Sequence, residues 1–419
     1  MITNGRPDRV AILSLHSSPL KEPGSGDSGG MTIYVRELTA ALARSGLKTD
    51  IFTRALPDSP RVTSIADGVR VVSIEAGPGD IPKEKLAGYI DDFVAGVRAF
   101  SMTQRISYDI VHSHYWHSGI AAKELAKAWN VPHVHSHHTL GRVKNRFLAP
   151  GDAPEPQSRL DGENEVIGAA DVLVASTDEE WSQLSCLYGA PHDRLKTVHP
   201  GVDHDLFSPG DRSAARAEVG LDDDELVMLY VGRIQPLKGV GLAIQAVEQL
   251  VGALDRPLTF VIVGGASGAA GEGEVERLKQ LSAELGVADR VRFVGPQPHT
   301  KIPAFYRAAD VQVVSSHSES FGLTALEAHA CGIPVVATAV GGLGHIIKDG
   351  ETGYLVEERD PSVFAARLKT LLSDPDLRAD FSHNALLASK KFSWQATADV
   401  TLELYECLAR ERLPEACTC

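Results

Sequence analysis

The feature that most limits the fold is a grammar of short apolar runs alternating with helical patterns, and it occurs twice. Val10 to Leu15 is a strand-like run that ends in His16. A Gly- and Pro-containing loop, Ser17 to Gly30, follows it. A helical pattern then starts near Met31, with Val35, Leu38 and Leu42 on one face. Lys48 to Thr53, Val69 to Ile74, Ile110 to Ser113, Val131 to Val134, Asp171 to Ser176 and Thr197 to His199 read as further strands. Asp203 to Asp224 is turn-rich and charged, and reads as a boundary. The grammar then restarts: Val227 to Val231, Thr259 to Val263, Val291 to Phe293, Val311 to Val314 and Val335 to Ala337 form a second set of strands. Strands alternating with helices call for parallel sheets covered on both faces. The expected fold is therefore α/β, with two Rossmann-like domains at 1–200 and 201–393. A last segment, 394–419, carries a helix from Trp394 to Arg412 that is expected to cross back onto the first domain. In such sheets ligands bind beyond the carboxyl ends of the strands. Two of these edges facing each other would enclose a substrate in a central cleft.

Composition removes several classes of function. At 419 residues the chain is too long for one typical core. A net charge of −14 argues against a nucleic-acid surface. No apolar run approaches the roughly 18 residues needed to span a bilayer, and Met1 to Arg9 is too polar for a signal peptide. Cys186, Cys331, Cys407, Cys417 and Cys419 make no zinc spacing, and their odd number fits a reducing cytoplasm. Cys417 and Cys419 read as part of a frayed tail rather than a metal site. Small molecules are the expected partners. The sequence leaves oligomeric state open, a homodimer included.

The chemistry-bearing motifs all follow strands. Ser316 to Gly332 carries Glu319 in a strand-to-helix loop, Gly322 where the chain must turn, and Glu327 about one turn into a helix from Leu323 to Ala330. The N–H groups near Phe321, Gly322 and Leu323 open that helix, and such an end attracts phosphate. The bland reading is a solvated acidic loop before an ordinary helix. Gly24 to Gly30 follows the first strand, and its four glycines permit close approach to a ligand. Its spacing is not Gly-x-Gly-x-x-Gly, and no acidic residue closes the second strand, so a dinucleotide oxidoreductase is disfavoured. His112-Ser-His-Tyr-Trp116 and His135-Ser-His-His-Thr139 end two strands with groups suited to sugar hydroxyls. Each histidine taken singly is more often structural. Gly232-Arg233 with Lys238 offers two cations that can clamp a diphosphate as it leaves.

Together these motifs resemble glycosyltransferase family 4, retaining enzymes of the GT-B fold. The likeness runs from about Val10 to Leu408. It rests on His16-Ser-Ser-Pro-Leu, Gly26-Asp-Ser-Gly-Gly-Met31, Phe52-Thr-Arg-Ala55, His112-Ser-His-Tyr-Trp116, Val143-Lys-Asn145, Gly232-Arg-Ile-Gln-Pro-Leu-Lys238 and Glu319-Ser-Phe-Gly-Leu323. It is strongest to the branch that moves N-acetylglucosamine from UDP to 1D-myo-inositol 3-phosphate in mycothiol biosynthesis. The resemblance implies a donor site made by Gly30, Arg233, Lys238, Glu319, Phe321, Gly322, Leu323 and Glu327. Arg233 and Lys238 would hold the diphosphate, Glu327 the ribose and Glu319 the sugar. His138 would lie at the reaction centre. His16, Asp27, Thr32, Lys83, Tyr115, Thr139 and Arg159 would face the acceptor. No metal or cofactor is needed for the chemistry, and any bound Mg²⁺ would be peripheral. The donor is expected to be a UDP-sugar, with a GDP-sugar as the alternative.

The chain also departs from the pattern. Thr32 stands where that branch has an Asn, and His135-Ser-His-His-Thr139 replaces His-Thr-Ala-His-Thr. Gly141-Arg142 resembles sucrose-phosphate synthases instead. These changes fall on the acceptor side. The rival expectations are a natural-product transferase acting on another small acceptor such as a thiol, and a sugar-phosphate synthase. A sugar-nucleotide binder without catalysis and a GT-B epimerase are the rivals from other classes.

Overall fold

The computed structural model describes residues 6–411 apart from 25, 27, 58, 80, 82, 151, 269 and 270. Two α/β units follow each other along the chain. The first sheet contains β1 (Arg9–Leu13), β2 (Lys48–Arg54), β3 (Val62–Ala66), β4 (Val69–Ile74), β5 (Ile110–His114), β6 (His133–Ser136), β7 (Val172–Ala175) and β8 (Leu195–Thr197). Their order is β3-β4-β2-β1-β5-β6-β7-β8. The second sheet contains β9 (Leu226–Val231), β10 (Leu258–Val263), β11 (Val291–Gly295), β12 (Val311–Val314), β13 (Val335–Thr338) and β14 (Gly353–Val356), in the order β11-β10-β9-β12-β13-β14. The direction of winding reverses between β1 and β5 in the first sheet and between β9 and β12 in the second. These are the switch points at which open sheets leave a crevice.

Burial explains the strand pattern. Leu226, Met228 and Tyr230 of β9 pack on one face of the second sheet, while Val227 and Leu229 pack on the other. Both faces are covered by helices, so the strand is apolar throughout rather than alternating. The first sheet has the same two-sided core. The helix Trp394–Glu411 lies against the helix Gly30–Arg44, where Trp394, Ala398, Tyr405 and Leu408 join Tyr34, Val35, Leu38 and Leu42 in one cluster.

Several sequence expectations are corrected in detail. β3 runs antiparallel to β4, so the first sheet is not wholly parallel. The Asp67-Gly68 turn between them is short enough for a hairpin. The stretch Asp203 to Asp224 holds the helix Arg212–Val219, capped by the Asp211 carboxylate and ended by Gly220 at φ 70°. β6 and β8 lie two residues later and two residues earlier, respectively, than expected. β14 went unread because Gly353-Tyr-Leu-Val356 is a short run.

Each sheet is pinned by one buried carboxylate. Asp50 accepts from Arg70 at 2.7 and 2.8 Å, from Arg9 at 3.1 Å and from the Tyr108 hydroxyl at 2.8 Å. Asp310 accepts from the Val227 N–H at 2.8 Å and from Arg216 at 3.0 Å, and also binds Arg212. Arg216 is only 1% exposed and also donates to the carbonyls of Ala308, Asp222, Asp223 and Glu225. Removing one partner of a buried pair leaves the other charge uncompensated. Asp310→Ala should therefore lower unfolding stability by about 3–5 kcal/mol. Denaturant titration followed by far-UV circular dichroism reads the effect, and a loss under about 1 kcal/mol would refute the pinning role.

Candidate active site

The carboxyl ends of the two sheets face each other across one cavity of about 600 Å³. From the first unit His16, Gly30, Lys83, Tyr115, His138, Thr139 and Arg159 line it. From the second come Arg233, Lys238, Glu319, Phe321, Gly322, Leu323 and Glu327. Residues of two separate sheets are thus brought to one cavity. Asp27 lies outside the described residues. Thr32 departs from expectation: it is fully buried, with Oγ1 2.7 Å from the Ser17 hydroxyl, and is not part of the cavity wall. Its side chain is too short to reach past that contact.

The second unit supplies cations and an open helix end. Arg233 follows β9, and its Nη1 reaches across to the Gly26 carbonyl at 3.4 Å and to Ser267 at 3.3 Å. A Cβ on Gly29 would lie 2.9 Å from Arg233 Nε, so the glycine loop and this arginine are in close contact. Lys238 donates to Glu319 Oε2 at 2.5 Å. Gly322 takes φ 99° at the start of the helix Leu323–Ala330, and no side chain caps that end. Its leading N–H groups are therefore available to an anion. Glu327 is 5% exposed and fixed from both sides: His299 Nε2 lies 3.1 Å from Oε1, and the Tyr306 hydroxyl donates to Oε2 at 3.0 Å.

The first unit supplies strain and a histidine array. Tyr115 sits at φ 71° after β5, and His138 at φ 62° after β6. Among the described residues the other non-glycine positions at positive φ, Arg105 and Asn130, merely end helices. Strain at ordinary side chains that both line a cavity is a mark of a working site. The Tyr115 ring lies 4.4 Å from that of His16, and the Arg159 guanidinium lies 5.1 Å above it. Arg159 is buried. It binds Glu163 at 2.8 Å, Glu155 at 2.9 Å and the Thr139 hydroxyl at 3.0 Å. Lys144, which also binds Glu155, adds a cation to which the motif Val143-Lys-Asn145 assigns no role. Lys83 is near enough for its charge to reinforce burial in lowering the pKa of His16 to about 3.

His138 is held by partners on both sides. Its Nε2 is 2.8 Å from His114 Nδ1, so only Nδ1 remains for the cavity. Its carbonyl accepts from Ser320 of the second unit at 2.6 Å. His112 lies behind His114, with ring centroids 4.4 Å apart, and contacts the Tyr405 hydroxyl at 2.6 Å. His114 and Ser320 both fell inside recognised motifs, but nothing in their spacing signalled these contacts. Among the described residues no group of three or more His, Cys, Asp or Glu is arranged to hold a metal. No helix among them is long and apolar enough to cross a membrane.

Comparison with known proteins bears on family and fold. The model for "Glycosyl transferases group 1" matches residues 211–387, and that for "Glycosyl transferase 4-like domain" matches 29–201. D-inositol 3-phosphate glycosyltransferase 2 of Catenulispora acidiphila is 48% identical over 405 residues, covering 95% of each chain. The D-inositol 3-phosphate glycosyltransferase of Mycobacteroides abscessus is 46% identical, covering 98% of this chain and 92% of that protein. The chain belongs to glycosyltransferase family 4. Among solved structures, sucrose-phosphate synthase from Thermosynechococcus elongatus superposes with a TM-score of 0.89 at 33% identity, over 96% of this chain and 100% of that one. Anabaena Alr3699/HepE, solved with UDP and glucose, has a TM-score of 0.76 at 21% identity and covers 95% and 99%. It shares the GT-B fold.

The histidine array sets an acid limit for this transferase. Burial holds His112, His137 and His138 down to about 3 and His133 to about 4. Burial also puts His114 and His135 well below the usual value. In the unfolded chain these rings titrate near 6.5. Between about pH 6.5 and 3 the unfolded state thus binds more protons, so stability falls as pH falls through that window. The melting temperature should be flat above about pH 7 and drop steeply between about pH 6 and 4, ahead of most carboxylate titration. A melting temperature unchanged down to pH 4 would refute the neutral buried array.

Proposed function

We propose that this transferase moves N-acetylglucosamine, with retention, from a UDP-sugar to 1D-myo-inositol 3-phosphate. One observation carries the reading: a single cavity holds a cation pair on the second unit and a separate cation group on the first. Arg233 and Lys238 suit a nucleoside diphosphate. Lys83, Lys144 and Arg159 suit the phosphate of an acceptor that also offers hydroxyls. The names of the relatives support the same acceptor. For this chain we read the activity as cytoplasmic, where a nucleotide sugar would be supplied.

The donor diphosphate lies at the Leu323 helix end between Arg233 and Lys238, and Gly30 approaches it from the other side. Glu327 accepts from the ribose hydroxyls. Lys238 exchanges Glu319 for a phosphate oxygen, and Glu319 turns to a sugar hydroxyl. The acceptor oxygen attacks the anomeric carbon on the face that the diphosphate leaves. The bond from carbon to phosphate oxygen breaks, the new glycosidic bond forms, and the acceptor proton passes to a leaving phosphate oxygen. His138, with Nδ1 towards the cavity, holds the sugar in place. The protein contributes position and charge stabilisation, and exclusion of water between the closed units. These steps call on no metal, and Mg²⁺ would act at the periphery.

Arg233→Ala and Lys238→Ala should each lower kcat about a hundredfold while the protein stays folded, because each removes a charge that meets the leaving group. Single-turnover assays with circular dichroism as the fold control decide it, and a folded double variant with wild-type turnover would remove the clamp.

The acceptor has a second reading, a thiol or other natural-product acceptor, favoured by the loss of Thr32 from the cavity wall. A thermal-shift panel of UDP- and GDP-sugars first fixes the donor. Inositol, inositol 3-phosphate and a set of small thiols are then assayed with it. Inositol 3-phosphate should be used at least tenfold better than inositol, since charge-assisted contacts to phosphate are the stronger kind. Turnover of a thiol with no advantage from the phosphate would replace the inositol reading by the second one.

A further inference from the structure

Glu327 is tied to the first unit by a chain of contacts. Arg36 lies on the helix Gly30–Arg44 of the first unit. Its Nη2 is 3.1 Å from His299 Nδ1, across 263 positions of sequence. His299 is buried, and its Nε2 is 3.1 Å from Glu327 Oε1. Arg36 is also braced by Glu37 at 3.1 Å, and the His299 N–H points to Glu22 of the first unit at 3.4 Å. Two contacts from the first unit therefore converge on this one histidine of the second.

The donor pattern along the chain is fixed by chemistry. A guanidinium has only N–H donors. The His299 Nδ1 that faces Arg36 must therefore accept, which places the ring proton on Nε2. That proton is then donated to Glu327 Oε1. The Tyr306 hydroxyl donates to the other oxygen, Oε2, at 3.0 Å. Each carboxylate oxygen has a second lone pair. Both carboxylate oxygens are thus held by one contact each, with a lone pair left on each, and Glu327 lines the cavity.

We propose that Arg36 is a positioning residue for ribose recognition, acting from the opposite unit through His299 on Glu327. It rests on the reading that Glu327 takes the ribose hydroxyls. When the two units part, Arg36 leaves His299, the ring is free to flip or change tautomer, and Glu327 loses the contact that holds Oε1. Selectivity for a ribose is then expressed only by the closed enzyme, so a nucleotide with the correct hydroxyls stabilises closure.

The test compares affinities of the full-length protein for UDP, 2′-deoxy-UDP and 3′-deoxy-UDP by calorimetry. GDP and its deoxy forms replace them if the shift panel selects GDP. The wild type should prefer the ribonucleotide about tenfold or more, the value of one hydrogen bond to a charged group. Glu327→Ala should abolish that ratio. Arg36→Met, which keeps the stem and removes the donors, should bring the ratio below about threefold. Arg36→Lys, which keeps a donor, should restore most of it. If Arg36→Met weakens all three nucleotides equally and leaves the ratio intact, Arg36 serves only closure or folding and the proposal is overturned. If Glu327→Ala leaves the ratio intact, the ribose reading itself fails and the proposal falls with it. If Glu327→Ala removes the ratio but Arg36→Met does not, the ribose reading stands and this inference alone is wrong.

Discussion

The two crossings of the chain between its units are locked together, and the whole cavity depends on that lock. The first crossing passes through Gly201 and Val202, and the second through Ser393 and Trp394. Val202 bridges Ser393 in parallel register, and the Val202 N–H donates to the Phe392 carbonyl at 3.3 Å. A Cβ on Gly201 would lie 2.2 Å from the backbone of Ser393 and Trp394, so no larger residue fits there without moving both crossings. This contact sets how the sheet edges face each other. The glycine loop then closes the far side, with the Gly265 N–H on the Gly24 carbonyl at 2.8 Å and the Gly26 N–H on the Ala266 carbonyl at 3.1 Å. A hinge at one end and a short backbone ladder at the other allow closure to exclude water without any covalent tie.

The first unit shows what that cavity demands of its strands. β5 and β6 carry histidines where Val or Ile would pack more easily. His112 and Ser136 are paired at 2.9 Å, and Ser113 lies 2.7 Å from both His133 and His135. Burying so many imidazoles is tolerable only with the rings neutral; His112, His114, His133 and His135 each bond through at least one ring nitrogen, whereas neither nitrogen of His137 has a hydrogen-bond partner. The effect is to stiffen the two strand ends where Tyr115 and His138 adopt positive φ. An apolar strand end would have no directional contacts with which to hold those residues in a sparsely populated conformation.

Legibility followed local chemistry. The order of strands and helices could be read because covered parallel strands are apolar runs bounded by turn residues, as in Val311 to Val314 followed by Gly322. Arg233, Lys238 and Glu319 could be singled out for the same reason, since each stands in the segment that follows a strand, and Glu327 because it lies in the helix that this segment opens. The antiparallel β3 was missed although Asp67-Gly68 is a hairpin signal, because the helical alternation on either side dominated the reading. The helix after Asp211 is hidden because turn signals on both sides, Pro209-Gly210 and Gly220 with Asp222 to Asp224, outweigh eight residues that are themselves good helix formers. What no spacing rule could reach were pairings between units. Arg36 with His299 and Ser320 with the His138 carbonyl depend on how two separately legible pieces are set against each other.

The cavity collects several cations in a chain of net charge −14, and it keeps them with carboxylates of its own. Lys238 lies on Glu319 at 2.5 Å, and Arg159 lies between Glu155 at 2.9 Å and Glu163 at 2.8 Å. A cation left unpaired in such a place would be destabilising by several kcal/mol. In the proposed donor and acceptor sites an incoming phosphate would therefore exchange partners rather than meet bare charges. Its binding free energy is then a difference between two ion pairs, and only a modest part of the Coulomb attraction appears as ground-state affinity. The balance shifts as the glycosidic bond breaks, because the leaving diphosphate gains negative charge that Glu319 never carried. In the proposed clamp, contacts to Lys238 and Arg233 would strengthen at that moment more than on binding. Stabilisation reserved for the transition state raises turnover, whereas equal stabilisation of the bound donor would only tighten binding. The carboxylates that blunt the cavity's affinity are thus part of what would make it catalytic.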